Sequence, residues 1–314
     1  MRVIFMGTPD FAVPCLKGLI NDENHQVAAV FTQPDRRKGR GKKMQGTPVK
    51  IAAQEENIPV YQPEKLNTPE NHRILKNINA DVFVVVAYGQ ILSKELLGLP
   101  KFGAVNVHAS LLPKYRGAAP IHWAVINGEE VTGITTMQMD EGLDTGDMLL
   151  KKSLPIGARD TTGDLHDRLA SLGEKLLLET LEGLEKGTIT KTPQPIGEDS
   201  YAPKITKKLA RIDWSLPAAD IDRLIRGLHP FPGAETSYQG KALKVHSGRW
   251  IKRKSDREPG TIVEVSKEGI VVAAGKDRIQ ITEVQFSGKK RMRVSEFLAG
   301  NRLELDTKLG VENE

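Results

Sequence analysis

The chain carries one cysteine, Cys15, in 314 residues. A lone thiol cannot close an intrachain disulfide, and it excludes a zinc site built from clustered cysteines. No apolar run approaches the ~18 residues of a membrane span. The opening MRVIFMGTPDF has one early basic residue, and its apolar stretch stops at Gly7-Thr8-Pro9. It reads as a first strand and a turn rather than a secretory leader, so a cytoplasmic protein with no membrane partner is expected. Both G-x-x-x-x-G-K-S/T and G-x-G-x-x-G are missing, and Gly7-Thr8-Pro9 has too few glycines for a dinucleotide fingerprint. Ser110 lies outside any G-x-S-x-G elbow, which argues against a serine hydrolase. The histidines are scattered. His108, His122 and Asp144 make only a weak metal pattern, so no metal is expected. The chain shows neither an internal repeat nor a low-complexity segment.

What is present is an ordinary water-soluble mixture, 39% hydrophobic and 27% charged. The length exceeds what one core usually holds, so two domains are expected. Charge is unevenly spread. Residues 1–206 hold 24 basic against 25 acidic residues, whereas 207–314 hold 21 against 15. All of the net charge of +5 therefore comes from the last third. Such segregation suits a polyanionic partner there, and equally a basic surface that serves solubility.

The first half alternates strand and helix signals. RVIFMG (2–7), QVAAVFTQ (26–33), IPVYQ (58–62), DVFVVVA (81–87) and AVNVHA (104–109) read as strands. Helices are expected at 10–20, with Asp10 as N-cap, at 48–57 and near 69–78. VFVVV has no polar alternation and should be buried on both faces. This rhythm predicts an α/β domain with an open, mostly parallel, Rossmann-like sheet and helices on both faces. TGITTMQM (132–139) and DMLLKKSLPI (147–156) read as neighbouring strands, and leucines at helical spacing predict a helix over 161–186. GTITKTPQPIGEDSYAPK carries three prolines and no periodicity, which marks a linker. The remainder reads as short antiparallel strands broken by YQG, KEG and GKD turns, an all-β, OB-like barrel. The expected division is 1–189, a linker over 190–206, and 207–314.

Three stretches could carry chemistry. In NVHASLLPKYRG, Asn106, His108 and Ser110 share one face of a strand because side chains alternate with period two. They fall at the carboxyl end, where an open α/β sheet places its ligands. Such residues are either a polar cap of the sheet or a site, and their combination before a Pro-containing loop favours the site. In MDEGLDTGDM (139–148), four carboxylates crowd a Gly-rich turn. They are either solvated, or one lies buried beside a histidine and moves protons. In PDRRKGRGKK, six of the eight residues from Arg36 to Lys43 are basic. Two glycines deny that segment a helix, so it is either a solvated flexible loop or a phosphate-contacting one.

Together these stretches resemble the folate-dependent formyltransferases. Asn106-x-His108, then Ser110-Leu111-Leu112-Pro113 and Tyr115-Arg116-Gly117, match that family's pattern, as does Asp144 in GLDTGD. Within the family, RVIFMGTPDFA, FTQPDRRKGRGKK with PVK, and VVVAYGQIL are similar to the members whose acceptor is initiator methionyl-tRNA. That likeness runs nearly the full length. The resemblance implies Asn106, His108 and Asp144 as the catalytic trio and 10-formyltetrahydrofolate as formyl donor. It further implies direct attack by the α-amino group of methionine through a tetrahedral intermediate, without a metal. Ser110, Leu111, Leu112 and Pro113 should line the folate pocket, with a cis bond at Leu112-Pro113. Arg36, Arg37, Lys38, Arg40, Lys42 and Lys43 should meet tRNA, Arg40 at the acceptor stem. The trio alone does not choose the acceptor, since family members acting on amino-sugar nucleotides share HxSLLPKYRG-like sequence. A non-catalytic RNA-binding protein and a hydrolase releasing formate are further alternatives. A monomer is expected, because no coiled-coil heptad or hydrophobic stripe is seen.

Overall fold

The computed structural model describes residues 1–38 and 43–311, Lys38 by its backbone alone. The chain divides into two compact units. One comprises 1–120, 131–155 and 166–202; the other comprises 121–130, 156–165 and the chain from Pro203 onward. None of the described helices is long and apolar enough to cross a membrane.

The first unit is α/β. Its strands are β1 (Arg2–Gly7), β2 (Gln26–Phe31), the short β3 (Arg36–Lys38) and β4 (Lys43–Gln45), β5 (Val60–Tyr61), β6 (Val82–Val86), β7 (Ala104–His108), β8 (Val131–Gln138) and β9 (Met148–Pro155). Seven of these make one sheet in the order β5-β2-β1-β6-β7-β8-β9. Pairing is parallel from β5 to β7 and antiparallel from β7 to β9. Every residue of the central VFVVV strand is buried, because it has neighbours on both edges and cover on both faces.

The helices of this unit are α1 (Val13–Asn21), α2 (Pro48–Glu55), α3 (Pro69–Ile78) and α4 (Lys94–Leu97). Two helices lie partly in it, α5 (Pro120–Ile126) and the long α6 (Thr162–Glu185), whose first turn counts with the second unit. Thr47 and Thr68 cap α2 and α3, each hydroxyl accepting the N–H three residues on, with Pro following as the first helical residue. One sheet face packs Ile4, Met6, Phe31, Phe83 and Val85 with Leu75 of α3 and Leu96 of α4. On the other face α6 comes so close at Gly173 that an added Cβ would stand 3.1 Å from Val107. Asp10 is not an N-cap. It opens a 3-10 turn over Asp10–Ala12, and α1 starts at Val13. An α-helix begun at Asp10 would need an N–H from Pro14, whereas a start at Val13 puts that proline in the tolerant first turn.

The second unit holds α7 (Lys207–Ala210), α8 (Ala218–Gly227), β10 (Ala234–Tyr238), β11 (Lys241–Ile251), β12 (Ile262–Ser266), β13 (Gly269–Ala273), β14 (Arg278–Phe286), β15 (Met292–Arg293) and α9 (Val294–Leu298). The strands form an antiparallel sheet with order β10-β11-β14-β13-β12, and β15 pairs with β14. Gln239 and Gly240, both at positive φ, join β10 to β11 as the YQG turn predicts. The core packs Ile221, Leu224 and Ile225 of α8 onto Leu243, Val245, Ile279 and Ile281.

Candidate active site

The apolar core of the first unit gives way to polar groups along β7. Ala104 belongs to that core, and Asn106 and His108 follow on the same face. His108 is 6% exposed, Asn106 half-buried. Asp144 comes from the turn between β8 and β9, at φ 54°, with its side chain 12% exposed. The other acidic residues of that turn, Asp140, Glu141 and Asp147, are exposed or half-buried. Asp140 is occupied locally, accepting from Gly142 N–H and the Thr145 hydroxyl.

The trio expected from the sequence is brought together. Asn106 Nδ2 donates to Asp144 Oδ1 at 3.3 Å, and His108 Nδ1 stands 3.7 Å from Asp144 Oδ2. The same Oδ2 accepts the Gly117 N–H at 2.8 Å. Gly117 sits at φ 107°, and an added Cβ there would meet the Tyr201 ring at 2.5 Å. Only glycine fits both demands. The second imidazole nitrogen, His108 Nε2, lies 2.9 Å from the carbonyl oxygen of Tyr115. A carbonyl only accepts, so Nε2 is the donor there. Nδ1 is then the nitrogen that gains or loses a proton, and it faces the carboxylate.

The segment Ser110–Pro113 turns sharply, with Leu112-Pro113 in cis. Its backbone is gripped by one hydroxyl: Thr135 Oγ1 donates to Ser110 O at 2.7 Å and accepts from Leu112 N at 3.0 Å. Lys151 Nζ donates to Leu112 O at 3.2 Å. Ser110 is 1% exposed, its hydroxyl on Lys114 O at 2.6 Å. Leu112 packs with Met137 and Met148, and Leu111 is half-buried. The segment is therefore braced through its backbone, with Leu111 left half-buried.

Of the six basic residues expected to meet tRNA, Arg36 and Arg37 are exposed on β3 and Lys43 is exposed on β4. The two strands pair antiparallel, Arg36 opposite Gln45 and Lys38 opposite Lys43. The segment read as a flexible loop is thus flanked by a two-stranded ribbon. Arg40 and Lys42 lie outside the described residues. At the base of the ribbon, Asp35 receives Lys50 Nζ and Gln62 Nε2, each at 2.7 Å. The Lys50 ammonium and then the Gln62 amide hold the Asp35 carboxyl below its ordinary range.

Sequence reading missed the second layer of support. Gln194 Nε2 donates to Asp144 O and Gly146 O, at 2.8 and 2.9 Å, while its Oε1 accepts from Arg116 Nε and Nη2 at 2.9 and 2.7 Å. Tyr115 N donates to Ser200 Oγ, and Arg116 N to Ser200 O. These residues lie in the Pro-rich stretch read as linker, up to 85 residues from their partners. No periodicity or motif marks such contacts. Among the described residues, no three His, Cys, Asp or Glu side chains converge as metal ligands would.

An amide, an imidazole and a carboxylate thus converge at the carboxyl end of β7. The family described as "Formyl transferase" matches residues 1–181, and "Formyl transferase, C-terminal domain" matches 204–302. The chain belongs to the formyl transferase family and is a transferase enzyme. It is 52% identical over 310 residues to a protein of Alkaliphilus oremlandii named methionyl-tRNA formyltransferase, covering 99% of this chain and 100% of that one. A Clostridium perfringens protein of the same name is 54% identical over 306 residues, with 97% and 98% covered. Among solved structures, the N-formyltransferase from Helicobacter canadensis, in complex with folinic acid and dTDP-3-aminofucose, superposes with a TM-score of 0.66. It is 22% identical and covers 90% of this chain and 98% of its own. HypX from Aquifex aeolicus, in complex with tetrahydrofolic acid, gives a TM-score of 0.63 at 17% identity. There the match takes in 98% of this chain but about half, 50%, of HypX. At such identities these likenesses speak for the fold alone.

Proposed function

We propose that the protein transfers the formyl group of 10-formyltetrahydrofolate to the α-amino group of methionine on initiator methionyl-tRNA, in the cytoplasm. The observation that carries this reading is similarity at 52–54% identity, over nearly the whole chain, to proteins named for methionyl-tRNA. The N-formyltransferase solved with dTDP-3-aminofucose, at 22% identity, bears on the fold and not on the acceptor.

The trio has the chemistry such a transfer needs. An α-amino group titrates near ~8 and must lose its proton to attack. Asp144 takes that proton, through a water, and orients His108. Negative charge develops on the formyl oxygen as the new C–N bond forms. Asn106 Nδ2 and His108 in its protonated form stabilise it, and one such donor is commonly worth ~2.7–4 kcal/mol. The intermediate then collapses by breaking the formyl carbon's bond to the folate nitrogen, which takes up a proton and leaves as tetrahydrofolate. Because Nε2 is engaged by the Tyr115 carbonyl, the proton that His108 exchanges is on Nδ1. The donor set needs neither a metal nor a covalent enzyme intermediate. Leu111 and the braced backbone of Ser110, Leu112 and Pro113 suit a flat, partly apolar folate.

In this reading 1–189 is the catalytic domain, 190–206 the linker and 207–314 a tRNA-binding domain. Arg36, Arg37, Lys38, Arg40, Lys42 and Lys43 meet tRNA phosphates. The test is formyl transfer from 10-formyltetrahydrofolate to methionyl-initiator tRNA, by wild type beside His108→Ala. Transfer is expected, and the variant should lose ~10²–10⁴-fold. Activity on an amino-sugar nucleotide, with none on charged tRNA, would replace the acceptor. Arg40→Ala should weaken use of the tRNA and leave folate binding unchanged.

A further inference from the structure

The second unit holds polar groups that the formyl-transfer site does not use. A cavity of about 480 Å³ opens beside β11 and β14. His246 is delivered to it by a β-bulge. Val245 pairs with Val284 and Ser247 with Glu283, which leaves His246 as the extra residue of β11. Regular alternation would turn position 246 away from the inward Val245. The bulge re-aims it, and the ring is 8% exposed.

His246 is half-satisfied. Its Nε2 lies 3.0 Å from Gln285 Oε1, and Gln285 is oriented by donating its own Nε2 to Lys289 O. Nε2 is thus the N–H of the neutral ring, and Nδ1 is left over. That Nδ1 is buried and has no hydrogen-bond partner among the described residues. His229, edge-on to it at a centroid distance of 6.2 Å, buries an Nδ1 in the same condition. Buried polar atoms are normally paired, so two orphans at one cavity point to something that occupies it.

The surroundings favour negative charge. Arg291, Arg293 and Lys267 line the cavity, and Lys244 stands beside His246 on β11. Of the acidic groups nearby, Glu283 is taken by Arg291, Glu268 lies across the lining, and Asp164 acts on His229 from α6. Hydroxyls of Ser247 and Thr282 complete one wall. Burial pushes both imidazoles below their ordinary value, and Arg291 adds to the effect. The Gln285 carbonyl opposes this at His246, and Glu283, a hydrogen bond with the His246 backbone and Asp164 oppose it at His229.

We propose that this cavity binds a phosphoryl group, with His246 and His229 as its buried donors and Arg291, Arg293 and Lys267 as its cationic rim. Its source is either a small phosphate compound or a backbone phosphate of RNA. An anion beside the rings favours their charged forms, so binding takes up protons and strengthens as pH falls through the bound-state values.

The experiment follows the histidine ring resonances of the full chain by NMR. Inorganic pyrophosphate is added in one series and a single-stranded RNA oligonucleotide in another. Saturable shifts of His229 and His246 are expected. His246→Gln should weaken pyrophosphate about tenfold or more, and Lys267→Ala, on an exposed turn, about severalfold. Sulfate, whose charge does not change in this range, should bind tighter at about pH 6 than at about pH 8. Ring shifts with pyrophosphate assign the site to small phosphate compounds. Shifts with the oligonucleotide alone assign it to an RNA backbone. Rings moved by neither ligand, or a folded His246→Gln that binds like the wild type, would overturn the proposal. Should His246→Gln fail to fold, Lys267→Ala decides, and an unchanged affinity there overturns it too.

Discussion

Two polar clusters, one in each unit, are built in opposite ways. At the end of β7, the polar atoms of the trio hold one another. Asn106 is on Asp144, Asp144 on the Gly117 amide, and His108 on the Tyr115 carbonyl. In the second unit, His229 and His246 each bury a nitrogen with no partner among the described residues. The first pattern is that of a site whose geometry is set before a substrate arrives, so little reorganisation remains for the reaction itself. The second is that of a receptor whose last hydrogen bonds are made by what it receives.

The comparison can be broken most sharply at Asp144. Asp144→Asn keeps a side chain that can still accept from Gly117 but removes the base. Formyl transfer should fall by ~10²–10⁴. Tryptophan fluorescence on unfolding should not change, because Trp123, Trp214 and Trp250 all belong to the second unit. The converse variant is Ile281→Ala, at a fully buried core position of β14. It should cost the second unit about 2–5 kcal/mol, read as an earlier fluorescence transition in denaturant. An unchanged transition would mean that this core relaxes around the cavity.

Gln194→Ala tests support without touching the trio. Transfer should drop about tenfold to a hundredfold, chiefly in kcat, since small misplacements of catalytic groups cost that much. Gln194→Glu, which keeps an acceptor for Arg116 but loses the N–H donors to Asp144 O and Gly146 O, should recover only part of the loss. A fall confined to KM would instead make Gln194 a binding residue. The smallest effect concerns the ribbon. The folded Asp35 carboxyl lies below its ordinary 3.8, so its contribution is present above that value and is lost as pH falls through the lower, folded one. Backbone NMR shifts of β3 and β4 should move with a midpoint below 3.8, and Lys50→Met should raise that midpoint.

The elements of the first unit were legible because their signals are local. VFVVV announced a strand buried on both faces, and the helices expected at 48–57 and near 69–78 are α2 and α3. Period-two alternation placed Asn106 and His108 on one side, and the resemblance supplied Asp144. What brings Asp144 beside them is β8 and β9 turning antiparallel at the sheet's end. Asp10 misled because capping chemistry looked three residues ahead, whereas Pro14 ruled the next turn. His246 could not be found at all, since a bulge inverts the alternation from which facing is inferred. Gln194 was hidden for a different reason: its contacts are long-range, and its own neighbourhood has no repeating pattern.

That last residue has a consequence for how the protein comes apart. Gln194, Asp199, Ser200 and Ala202 all fall between the two family-matched stretches, which end at 181 and resume at 204. Asp199 pairs with Arg116 at 3.5 Å, and Ala202 exchanges backbone hydrogen bonds with Arg116 and Ala118. The four thus form a clasp around the turns that carry Asp144 and Gly117. Lys191, just ahead of the clasp, is exposed to a protease. A single nick there would leave Asn106, His108 and Asp144 on one fragment and their fastening on the other. The chemistry and the part that keeps it in register would then belong to different polypeptides.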